Sequence, residues 1–86
     1  MRVKILGRTW NLRFVANLGR DRWGDIDGNK KEIRLRTNMR SKKELEVIIH
    51  EIKHGQDPTK TEEWVCQTAK EMSEILWKLG WRKVKK

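Results

Sequence analysis

Eighty-six residues, 38% of them charged, with a net charge of +9, have room for one domain spanning 1–86 and no second core. No apolar run approaches the ~18 residues that a membrane span needs, and Met1–Gly7 holds no apolar stretch of signal-peptide length. Cys66 is the only cysteine, which excludes an internal disulfide and fits a reducing, cytoplasmic setting without a membrane partner.

A chain this short buries only roughly 60–65% of its unfolded surface, so a bound metal would add usefully to a thin stability margin. The 21 Lys and Arg are spread along the whole length. A solubilising shell is the plain reading of that charge, with nucleic acid or acidic partners as the competing one. The densest run, Arg82 to Lys86, is expected to be a solvated tail.

In chain order, Val3-Lys4-Ile5-Leu6 is β-prone, and Gly7-Arg8 can turn the chain into the alternating Trp10-Asn11-Leu12-Arg13-Phe14. Trp23 to Ile26 and Glu32 to Arg36 flank Asp27-Gly28-Asn29, a hairpin signal. In the second of these, Ile33 and Leu35 alternate with Arg34 and Arg36, giving one buried and one basic face. Asp25 to Asn29 is not a calcium loop: with Gly28 as the loop glycine, the first and last ligand positions fall on Trp23 and Arg34.

From Ser41 the period becomes helical. Ser41-Lys42-Lys43-Glu44 matches a capping box, and the helix is expected to reach about His54, with Gly55 as its stop. A second helix, capped by Thr59 or Thr61, should run to about Leu79 before Gly80. Its apolar stripe is Val65, Ala69, Met72, Leu76 and Leu79, and Cys66 is read as a residue of this helix. The expected architecture is α+β: a small antiparallel N-terminal sheet followed by two antiparallel helices.

His50 and His54 are the only histidines, and Glu51 lies between them. On a helix, residues four apart share a face about 6 Å apart along the axis, so both imidazoles can reach one Zn²⁺. Zinc makes a water acidic, but a base must still take its proton, which is the chemistry Glu51 offers. The competing reading is an ordinary surface helix. Leu45, Ile48 and Ile52 point away from His50, whereas Val47 and His54 share its side, so both faces look covered.

A catalytic zinc site takes three protein ligands, and no histidine follows His54, so a carboxylate must complete it. Relative to Val65, Glu62 lies about 60° round the second helix and Glu63 about 160°, which favours Glu62. Glu63 and Asp57 stay open as alternatives, and Glu62 has a structural role available as a helix N-terminal charge.

The stretch "ELEVIIHEIKHGQDPTKTEEWVCQTAKEMSEILWKLGWR" resembles the zincin metallopeptidases, more narrowly the gluzincin type with His, His and Glu ligands. It is most similar to very short phage and bacterial metallopeptidase-like chains that carry an HExxH helix, an acidic pair and a terminal "LWKLGWR"-like segment. The likeness extends from "VKILGRTWNLRFV" through "KEIRLR" to Trp81-Arg82. It implies a minimal zincin-like domain with His50 and His54 as ligands, Glu51 as general base and Glu62 or Glu63 as third ligand. Larger zincins stabilise the oxyanion with Tyr, His or Arg. This chain has no Tyr and both histidines are assigned, so an Arg or Lys would have to serve.

The leading expectation is a zinc-dependent peptidase acting on a peptide or protein substrate, with Glu32 to Arg36 as a basic sheet edge that favours acidic peptides. The alternatives are a metal-stabilised binding module without hydrolysis, and a nucleic-acid binder stacking bases on Trp10, Trp23, Trp64, Trp77 and Trp81.

Overall fold

The computed structural model describes residues 1–19 and 22–84; Lys85 and Lys86 of the expected tail lie outside them. Strands β1 (Arg2–Ile5), β2 (Arg8–Val15), β3 (Gly24–Asp27) and β4 (Glu32–Arg36) precede helices α1 (Ser41–Gln56) and α2 (Glu62–Lys78). The class is α+β, as the period change at Ser41 implied.

The sheet is mixed, not antiparallel throughout. Its order is β1-β2-β4-β3, with β2 parallel to β4 and both outer pairs antiparallel. After β2 the chain passes over one strand position before laying down β3, and β4 then fills the slot between them. That makes β4 an interior strand. Ile33 and Leu35 are wholly buried, and Glu32 to Arg36 has no free edge to offer a substrate.

Leu6 and Gly7 close the first hairpin with φ of 51° and 76°, the pattern of a two-residue type I′ turn. In the second, the Asp27 carboxylate accepts from the backbone N–H groups of Asn29 and Lys30, which fixes the turn beside Gly28.

The inner face presents Val3, Ile5, Trp10, Leu12, Ile26, Ile33 and Leu35 to α1. Helix α2 packs on α1 and on no strand, so α1 lies between the sheet and α2. That arrangement explains why α1 carries apolar residues on both sides. Ser41 is already helical and Arg40 is the N-cap without a side-chain cap bond, so the expected capping box does not form. The buried Glu44 carboxylate instead pairs with Lys83, 2.7 Å away, tying part of the C-terminal segment to α1.

Helix α1 also runs past Gly55 to Gln56. This glycine serves packing: a Cβ there would lie 3.2 Å from Ile5 Cδ1 and 3.3 Å from Ile26 Cδ1. Of the two candidate caps, Thr61 is the one that forms, its hydroxyl accepting from Trp64 N–H. Gly80, at φ 96°, ends α2 in a Schellman motif with Trp81 N–H on Leu76 O and Gly80 N–H on Trp77 O.

The buried stripe of α2 is Val65, Ala69 and Ser73, whereas Met72 and Leu79 are exposed. Only α1 is available to cover α2, so one narrow row spaced by four is buried. Small Ala69 and Ser73 allow the close approach, and the Ser73 hydroxyl is satisfied by Lys70 O. Among the described residues, no helix is long and apolar enough to cross a membrane.

Candidate metal centre

His50 and His54 project from one face of α1, as their spacing requires, and their rings meet edge to face with centroids 4.8 Å apart. The first turn of α2, fixed by the Thr61 cap, brings Glu62 over them. Glu62 Oε1 lies 2.8 Å from His50 Nε2, and Oε2 lies 2.8 Å from His54 Nε2. The two Nε2 atoms are 3.2 Å apart.

The Glu62 carboxylate can accept an Nε2–H from each imidazole at these distances. With both Nε2 atoms deprotonated, their lone pairs and a carboxylate oxygen converge on one point, which suits a cation. Tetrahedral ligands at ~2.0–2.1 Å from zinc lie roughly 3.3 Å from one another, close to the spacing of these three groups. Among the described residues, His50, His54 and Glu62 form the group that could hold a metal ion.

The protonation states fit as well. Burial lowers the His50 pKa despite the nearby Glu62 charge, which favours the neutral imidazole. Desolvation opposes the Glu62 carboxylate, but His50 and His54 outweigh it and hold its pKa below the usual value. A neutral imidazole and an ionised carboxylate are what metal ligation needs.

Glu63 is exposed and turned away from this group. Asp57 is used elsewhere: its carboxylate accepts from Thr59 N–H and Oγ1, which lowers its pKa and fixes the turn between the helices. Cys66, one turn after Glu62, is exposed and its Sγ lies 3.5 Å from Glu62 Oε1.

Glu51 is only 6% exposed and lies beside the centre, its Oε1 3.8 Å from His50 Nε2. Burial first, then the charges of Asp25 and Glu62, push its pKa up to about 7. It accepts no hydrogen bond from any described residue, and none of its oxygens is sealed from solvent. A buried carboxylate without a structural partner costs stability. The room for it comes from Gly24, where a Cβ would lie 3.2 Å from Glu51 Cγ and 3.0 Å from Val47 Cγ1.

Gly24 was not apparent as a site residue from the sequence, although a glycine inside a strand is a signal for close approach. Asp25 was missed too. It is held by Arg34 Nε at 2.8 Å and flanked by Arg22 at 3.6 Å.

The five tryptophans do not form one surface. Trp10 is 7% exposed and belongs to the core. Lys53 and Lys60 lie over Trp64, Arg36 and Lys43 over Trp23, and Arg82 over Trp77, so cations of the chain itself use those rings. No protein-family model, curated protein or solved structure matches the chain.

Proposed function

We propose that the protein is a minimal zincin-type peptidase, in which His50, His54 and Glu62 would hold Zn²⁺ and Glu51 acts as general base. One observation carries this reading: a two-histidine, one-carboxylate ligand set has a buried and otherwise unpaired glutamate beside it. When bound, zinc supplies a Lewis acid that polarises the scissile carbonyl and makes water acidic.

The residues of the chain do the rest. Glu51 takes the proton of the attacking water and returns it to the leaving amine, so hydroxyl adds to the carbonyl carbon as the C–N bond breaks. Burial raises the Glu51 pKa in the metal-free protein, and a bound cation beside it would lower that pKa toward the ionised form a general base needs. The His50 and His54 side chains are held by α1, which is itself gripped between the sheet and α2. The free sheet edge nearest Glu51 is β3, whose Gly24 touches it, and an extended peptide could pair there with the strand's main chain. With a net charge of +9, the protein favours acidic peptides.

The test is metal content of the purified wild type and Glu51→Gln, paired with cleavage of a broad peptide library. The reading expects zinc in both proteins and cleavage only by the wild type. Zinc in both with no cleavage by either would favour a metal-stabilised binding module instead.

A further inference from the structure

Between the two hairpin turns and the last turn of α1 lies a hollow of about 630 Å³, and His54 forms part of its wall. Its floor is apolar, built from Ile5 and Trp10, which are 6% and 7% exposed, with Ile26 beside them. Arg8 and Lys31 also line it. Neither makes an ion pair with a described residue, so both charges are free to meet an anion. An apolar floor with two uncompensated cations matches a ligand that joins an apolar side chain to a negative charge.

Leu6 adds an apolar rim: it lines the hollow from the first hairpin turn and is 77% exposed, so its side chain is free to meet a ligand.

We propose that this hollow is a subsite for an apolar substrate residue bearing or followed by a carboxylate, with Arg8 and Lys31 as the anion contacts. Its place in a catalytic cleft rests on the peptidase reading; the binding chemistry does not. The carboxylate can be a chain terminus or the side chain of a following Asp or Glu.

The experiment titrates isotope-labelled full-length protein with N-acetyl-leucine, its neutral amide, and N-acetyl-Leu-Asp amide, following Trp10 indole and Ile5 and Ile26 methyl resonances. At least one carboxylate ligand should shift those signals and bind about tenfold or more tighter than the neutral amide. Arg8→Ala and Lys31→Ala should each weaken it about tenfold, while Lys4→Ala, away from the hollow, should change nothing. Gly28→Phe, at a lining position with open space around its Cβ, should block every ligand in a folded protein. Tighter binding of N-acetyl-leucine would identify a chain terminus as the source, and tighter binding of the Leu-Asp amide an acidic side chain.

Each titration is run with zinc and with chelator. Carboxylate binding that depends on Arg8 and Lys31 without zinc sustains the subsite even if no peptide is ever cleaved. Three results would overturn it: equal binding of the neutral amide, binding that needs zinc and ignores both cations, or shifts only at Phe14, Trp77 and Trp81. Those last residues line a separate apolar hollow of about 490 Å³ on the other side of α1.

Discussion

Gly24 and Glu51 pack so closely that a β-carbon on the glycine would lie 3.2 Å from the glutamate Cγ. The edge strand therefore sets the position of the buried carboxylate, although the two residues are far apart in the chain. Gly24→Ala should destabilise the fold by about 1–3 kcal/mol, because the same β-carbon also meets Val47 and the Arg34 carbonyl. Peptide hydrolysis should fall while metal content stays near wild type, since the atoms nearest the added β-carbon belong to Val47, Arg34 and Glu51 and not to the three ligands. Thermal melting with metal analysis checks both parts.

Metal should bind one per chain and raise the melting temperature, because His50, His54 and Glu62 come together only in the folded state. At a free concentration of 100 times Kd the gain is about 2.7 kcal/mol. Melting with and without chelator measures it, and unchanged melting with no stoichiometric metal would remove the zinc centre.

Glu62→Ala should weaken metal affinity far more than Glu63→Ala, because only the Glu62 carboxylate reaches both imidazoles, at 2.8 Å from each. A metal-competition titration decides it. The reverse order would mean that α2 turns its other glutamate to the centre in solution.

Glu51→Gln should keep its metal and lose peptide hydrolysis by ~10²–10⁴, the usual worth of a general base. His50→Ala should lose metal and activity together. Equal cleavage by wild type and Glu51→Gln would refute the assigned role of Glu51.

In the metal-free protein, the pKa of Glu51 rises from 4.5 to about 7 on folding. The folded state therefore holds this proton more tightly than the unfolded one. The associated stability is fully present below pH 4.5 and is lost as pH rises through 7. Chelator-treated Glu51→Gln should accordingly exceed wild type in stability at pH 8, by up to about 3 kcal/mol, and the gap should close toward pH 4.5. Urea unfolding of both proteins at the two pH values gives the comparison.

The order of four strands and two helices was legible in the sequence, because alternation, turn residues and the change of period at Ser41 are local properties. So was the face shared by His50 and His54, since helical spacing alone places residues four apart together. The helical phase of Glu62 against Glu63 was equally local, once Val65 marked the side of α2 that is buried. Gly80 marked the end of α2 for the same reason, and the start was narrowed to Thr59 or Thr61, of which Thr61 caps the helix.

What depends on distant partners was decided by the tertiary structure. Strand β4 was read as an edge because its own alternation says nothing about which strands flank it, and pairing placed it between β2 and β3. Gly55 looked like a helix stop, but its missing β-carbon is needed by Ile5 and Ile26 from the sheet. Ser73 replaced Met72 in the buried stripe because the crossing of α2 on α1 selected a row that amphipathicity alone left ambiguous. The burial that raises the Glu51 pKa, the glycine behind it and the hollow beside His54 are all made by segments meeting across the sheet. Local sequence specifies spacing along one element, whereas desolvation and cavity shape are set by whatever packs against it from the rest of the chain.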